Sequence, residues 1–194
     1  MTALLEDHVL VLRAQDGDVD AFEQLVDRHQ ARLFRIAFMV LHDRMDAEDV
    51  VQEALVSSWK RLHLLRDPNS FRAWISQITS RAATDIVRQK ARRQTDAAQQ
   101  QDLDTAATES ALGGTSGRNA HQPERAAMAA AQMEALATIL QTIPEDQRTS
   151  WVLREIDGMS YADIARIVDA TETAVRGRIA RARTQILDRM QEYR

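Results

Sequence analysis

Ser160-Tyr-Ala-Asp-Ile-Ala-Arg-Ile-Val-Asp-Ala-Thr171 runs directly into Glu172-Thr-Ala-Val-Arg-Gly-Arg-Ile-Ala-Arg-Ala-Arg183. The pair reads as two short helices joined by a tight turn. Ser160 can cap the first helix, with Asp163 completing a capping-box-like pair. Tyr161, Ile164, Ala165 and Val168 follow at i, i+3, i+4 and i+7, the spacing of one buried helical face. Asp169-Ala170 is a break, and Thr171 can cap the next helix. Val175, Ile179, Ala182 and Ile186 recur along one stripe of that second helix. Arg176, Arg178, Arg181 and Arg183 fall off the stripe and face outward. A helix-turn-helix with a basic outer face suits a DNA major groove, where arginine neutralises phosphate and contacts guanine in pairs. The plainer reading is a solvated face that complements the helix dipole.

Working outward, the rest of the chain also reads as helix, with no strand pattern of useful length. Its 194 residues suffice for one domain or two small ones, and 44% apolar content supports real cores. Phe22, Leu25, Val26, Leu33, Ile36, Ala37 and Val40 mark one face, widened by Phe34, Phe38 and Leu41, so this helix is buried on more than one side. Asp20 with Glu23 is a candidate cap for its start. A second helix is expected from about Met45 to Leu62. A turn at Asp67-Pro68-Asn69-Ser70 follows, and then a long helix from Phe71 to about Arg93. Between 95 and 123 the only large apolar residues are Leu103 and Leu112. That composition cannot offset the entropy of ordering, so a flexible linker is expected there. Ile143-Pro144 breaks the helical unit that runs from Glu124 to the end. The expected architecture is all-α: a domain over 1–94, a linker over 95–123, and a helix-turn-helix domain over 124–194.

The net charge of −4 seems to oppose nucleic acid, but its distribution does not. Residues 1–50 hold 5 basic side chains against 11 acidic ones, and residues 51–95 hold 9 against 3. Local patches rather than the sum decide where a polyanion binds. The chain has no cysteine, which excludes disulfides and thiolate metal sites. No apolar run approaches the ~18 residues of a membrane span. The N-terminus lacks the pattern of a signal peptide. A cytoplasmic protein without membrane insertion is the expectation. Trp59, Trp74 and Trp151 sit at helical spacing with aliphatic residues and are read as core. The five histidines show no ligand spacing and are assigned nothing.

Asp46-Ala-Glu-Asp-Val-Val-Gln-Glu-Ala-Leu-Val-Ser-Ser-Trp59 is the second informative segment. Val51, Leu55, Ser58 and Trp59 point one way, and Asp46, Asp49, Gln52 and Glu53 share another ridge. Clustered carboxylates repel one another. A solvated face, a metal site and a dock for a basic partner all compete. The Glu-x-x-His pairs of carboxylate-bridged bundles are absent, which argues against a metal. No cofactor is called for.

At this point a resemblance enters. The acidic segment resembles the core-polymerase-binding motif of bacterial sigma factors, and the C-terminal segment resembles their promoter-reading helix-turn-helix. Phe71-Arg-Ala-Trp-Ile-Ser-Gln-Ile, then Asp85-Ile-Val-Arg88 and Arg92-Arg93, looks like the segment that opens and reads the −10 element. Ile143-Pro-Glu-Asp-Gln-Arg148 and Leu153-Arg-Glu-Ile-Asp-Gly158 match the approach to the helix-turn-helix. Short length and two helical domains are similar to the extracytoplasmic-function group of the sigma-70 family.

The resemblance implies roles. Asp46, Asp49, Gln52 and Glu53 would meet the basic coiled coil of core RNA polymerase. The loop Leu64–Ser70, with Asp67, Asn69 and Ser70, would hold an extruded −10 base. Arg88, Lys90, Arg92 and Arg93 would track DNA backbone, with Arg81 supplying backbone charge or a salt bridge. Arg176, Arg178 and Arg181, flanked by Thr171, Thr173 and Arg183, would read and grip the −35 element of promoter DNA. An anti-sigma factor is the implied protein partner, and no catalysis is implied. The chain departs from the family at Ala174-Val-Arg-Gly-Arg178, often Thr-Val-Lys-Ser-Arg, and at Ile78-Thr-Ser-Arg81, often Ile-Ala-Arg-Asn. Promoter sequence therefore does not transfer. The alternative is a helix-turn-helix regulator whose N-terminal helices receive a signal. The order of an acidic helix before a basic one separates the two, because a sensor has no need of it.

Overall fold

The computed structural model describes residues 5–100 and 136–192. Its elements are α1 (Asp7–Gln15), α2 (Val19–Leu41), α3 (Arg44–Arg61), α4 (Phe71–Gln100), a helical stretch over 136–141, α5 (Glu145–Glu155), α6 (Tyr161–Val168) and α7 (Glu172–Glu192). Single tight turns at Leu62–Leu64 and Pro68–Ser70 link α3 to α4. Among the described residues there is no strand, as the pattern predicts.

Helix α2 is the axis of the N-terminal module, packing on α1, α3 and α4. Its apolar face buries Phe22, Leu25, Leu33, Ala37, Met39 and Val40. Burying each large side chain stabilises by about 1.5–3 kcal/mol. Phe22 meets Trp59 of α3 with ring centroids 4.9 Å apart, and Phe71 lies 5.5 Å from the His29 ring. All three tryptophans pack partly buried against the core.

Three readings need adjustment. The cap of α2 is Asp18, not Asp20: its carboxylate accepts from the Ala21 N–H at 3.0 Å. Gly17, at φ 95°, turns the chain out of α1 and sets Asp18 at the entry, leaving Asp20 in the first turn. Helix α1 was not foreseen, since its buried set of Leu10, Val11 and Ala14 is too short to make a stripe. Helix α4 runs on to Gln100, through the first residues of the predicted 95–123 segment, where alanine and glutamine favour helix. The linker beyond Gln100 and the start of the 124–194 unit lie outside the described residues.

In the C-terminal module, Leu153, Met159, Ile164, Ile167, Val175 and Ile179 form one apolar cluster. The module also packs on the N-terminal one, α5 against α2 and α6 against α4.

Candidate polymerase and nucleic-acid interfaces

Asp43 caps α3, its carboxylate accepting from the Asp46 N–H at 3.0 Å. Ala47, Val50, Val51, Ala54 and Ser58 turn inward, which forces the polar ridge outward. Asp49, Gln52 and Glu53 are exposed along it. Asp46 departs from the ridge: it is partly buried and ion-paired with Lys90 of α4. Glu53 lines a groove with Asp85, Arg88 and Arg92, so the acidic ridge and the basic side of α4 share one edge. Arg81, Arg92 and Arg93 are exposed, and Arg88 lies 3.7 Å from Asp85. Ser80 beside Arg81 is fully buried. No group of three or more metal-ligating side chains occurs among the described residues.

The loop before α4 is tightly organised. Asp67 accepts from the Asn69 backbone N–H at 3.0 Å, from the Asn69 side-chain amide at 3.1 Å and from the Ser70 hydroxyl at 2.7 Å. These bonds, Ser70 first and then Asn69, hold its carboxyl below the usual carboxylate range. Asp67 thus shapes the turn, and the exposed Asn69 and Leu64 are its outward features. Gln15, which sequence reasoning missed, donates to the carbonyls of Leu62 and Leu65, both at 2.9 Å. No local signal could have found a clamp made across 47 and 50 positions.

The helix-turn-helix forms as its caps predict. The Ser160 Oγ accepts from the Asp163 N–H at 3.1 Å and Thr171 Oγ1 from the Ala174 N–H at 3.2 Å. Between them Asp169 takes the left-handed conformation at φ 51°, one Asx residues tolerate, and ends α6. Val175, Ile179, Ala182 and Ile186 are all buried. The four arginines do not share one fate. Arg176 lies over the Tyr161 ring at 4.7 Å, with Arg154 over the same ring at 4.5 Å. Arg178 is drawn sideways to Asp146 of α5 at 3.0 Å, its side chain 23% exposed. Arg183 reaches Glu155 of α5 at 2.6 Å. Arg181 is exposed, as are Thr171 and Thr173.

The comparisons with known proteins follow this geometry. The family model for sigma-70 region 2 matches residues 25–93, and that for sigma-70 region 4 matches residues 133–186. The RNA polymerase sigma-H factor of Pseudomonas aeruginosa is 35% identical over 184 residues, covering 93% of this chain and 92% of that protein. The ECF RNA polymerase sigma-E factor of Escherichia coli is 32% identical over 191 residues, covering 98% and 97%. Among solved structures, CnrH in complex with the cytosolic domain of CnrY aligns with a TM-score of 0.60 and 27% identity, covering 96% of this chain and 97% of that one.

Proposed function

We propose a division of labour for a chain that belongs to the sigma-70 family of RNA polymerase sigma factors, in its extracytoplasmic-function group. As a member, it binds core RNA polymerase and directs promoter-specific transcription initiation. In our reading the N-terminal module docks on the polymerase through Asp49, Gln52 and Glu53. Asp46 belongs to the same end of α3 but is held by Lys90. The loop 64–70 takes the −10 base through Asn69 and the turn that Asp67 and Ser70 fix, and Arg81, Arg88, Arg92 and Arg93 follow the DNA backbone. Thr171, Thr173, Arg176 and Arg181 meet the −35 element, while Arg178 and Arg183 brace α7 against α5. The modules are 1–94 and 124–194, joined through 95–123. Limited trypsin digestion checks those bounds: cleavage at Arg118 or Arg125 should leave two resistant fragments.

The observation that carries this reading is the exposed acidic ridge of α3 set beside the basic edge of α4. One face suits a basic protein and the next a polyanion. The chain is not an enzyme; the catalysis belongs to the polymerase, and the chain works in the cytoplasm where the polymerase is. No described helix is long and apolar enough to cross a membrane. An anti-sigma factor regulates it. The likeness to CnrH held by the cytosolic domain of CnrY, extending over 96% of this chain, supports that partner. The test is co-purification with core polymerase and run-off transcription, comparing the natural chain with an Asp49→Lys, Glu53→Lys variant. Core affinity retained by the variant would remove the docking assignment.

A further inference from the structure

The docking ridge of α3 is not purely polar. Met45, Asp49, Gln52 and Val56 recur at i, i+4, i+7 and i+11, so one stripe of the helix carries all four. Met45 is 76% exposed and Val56 49%, and Asp49 and Gln52 between them are exposed as well. Four residues beyond Val56 the same stripe ends in the exposed Lys60. The inward face is already filled by Ala47, Val50, Val51, Ala54 and Ser58, so Met45 and Val56 do not serve the core of the module. Of the neighbouring acids, Glu48 pairs with Arg44 at 2.8 Å and Asp46 with Lys90 of α4. Single apolar side chains scattered on a surface need no explanation. Two that share a line with the assigned contact residues are a different case. At a rise of 1.5 Å per residue they stand about 16 Å apart, one at each end of the exposed acidic stretch.

We propose that Met45 and Val56 are the apolar anchors of the contact with core RNA polymerase, and that the surface they meet carries an apolar recess at each end of a basic centre. The inference rests on the docking assignment above and adds to it the two residues that supply adhesion. Exposed carboxylates give orientation and a fast encounter, but the water they must shed cancels much of their attraction. Apolar surface has no charge to desolvate. Interfaces are enriched in methionine, and a few well-packed side chains carry most of the binding energy. Met45 is unbranched and adapts to the recess it enters, whereas Val56 is stiff at χ1 and needs a matching one. Met45 also has the more surface left to bury, so its contribution is the larger. A second copy of the chain is the poorer occupant. A two-fold contact through this stripe would set Asp49 and Glu53 against their own kind.

The experiment titrates the labelled full chain with core polymerase at low and high salt. Met45→Gln keeps the length of the side chain and removes its apolarity, and Val56→Thr keeps the shape. Met45→Gln should weaken binding about tenfold, Val56→Thr about threefold, and the two together about thirtyfold. Those ratios should be equal at both salt concentrations, whereas the loss from Asp49→Lys, Glu53→Lys should shrink as salt rises. Met45→Leu should bind as the natural chain does. The Gln, Thr and Leu variants should melt with the natural chain, because the altered side chains are exposed. Affinity within about twofold of natural in the Met45→Gln, Val56→Thr chain would overturn the proposal, as would losses that salt erases. Sedimentation of the free chain adds one more outcome. Self-association abolished by Met45→Gln, with core affinity unchanged, would give the stripe to a second copy and overturn it too. Core affinity kept by Asp49→Lys, Glu53→Lys would instead sink the docking reading on which the anchors rest.

Discussion

Helices α3 and α7 each carry a line of like charges, yet the two lines are used differently. On α3 the acids Asp49 and Glu53 stand exposed with Gln52, while Asp46 is drawn into an ion pair with Lys90 of α4 and Glu48 pairs with Arg44 of its own helix. On α7 the arginines are mostly engaged: Arg176 with Glu172 and Tyr161, Arg178 with Asp146, and Arg183 with Glu155. The difference teaches that a charged face in a sequence has two components, charges left open to solvent and charges that hold the fold. The helical wheel cannot tell them apart. Position along α7 can, because residues beside α5 find its carboxylates.

The largest effect should come from the open line. Reversing Asp49 and Glu53 to lysine should weaken core polymerase binding by about a thousandfold, near 4 kcal/mol, while the melting temperature moves little. Equal affinity in a titration of labelled protein would erase the distinction between α3 and α7.

The next effect belongs to the seam between the modules. Burial first, and then the nearby Arg148 cation, push the His42 imidazole down to about 4 from its ordinary 6.5. The folded protein therefore holds His42 neutral, while the unfolded chain binds a proton below pH 6.5. The stability from this site is complete above that pH. It is lost as pH falls from about 6.5 to about 4, by about 3 kcal/mol in all. Urea unfolding at a series of pH values should show that slope, and His42→Gln should flatten it. An unchanged slope would mean that other groups carry the acid sensitivity.

A smaller pair of effects separates the arginines of α7. Arg181→Ala should weaken −35 duplex binding about tenfold and lower the salt slope by about one. Arg178→Ala should act mainly on stability, since its ion pair with Asp146 is half in solvent and worth about 0.5–1 kcal/mol. Band-shift titrations at two salt concentrations beside thermal melts distinguish them. Equal DNA losses for both would restore the uniform basic face.

The smallest expected change tests the ring beneath Arg176. Tyr161→Phe keeps the π face and should leave −35 affinity within about twofold. Tyr161→Leu should cost several-fold more, since a cation over a ring is worth about 0.5–1 kcal/mol at exposed sites. No difference between the two variants would leave Arg176 positioned by Glu172 alone.

Much of this molecule was legible beforehand, for identifiable reasons. Ser160, Asp163 and Thr171 announce the helix-turn-helix because caps act within three residues. Val175, Ile179, Ala182 and Ile186 announce its buried stripe because the helical period is local. The α3 ridge followed from the same arithmetic. What escaped was long-range. Arg32 finds Asp157 across 125 positions, and Ile36 completes a cluster otherwise drawn from residues beyond 150. Both lie on the broad apolar face of α2, whose width signalled a second neighbour without naming it. Asp46 read as part of a docking ridge because Lys90, its partner, is 44 positions away on another helix.

Gln15 has a wider consequence. With one amide group it grips the carbonyls of Leu62 and Leu65, so the geometry of the loop before α4 is tied to a short helix packed beside it but some fifty positions earlier in the chain. Under the role proposed for that loop, promoter taste can then drift by inheritance through a residue that never meets a base: lengthen, shorten or remove that one side chain, and the loop re-aims with its own letters unchanged.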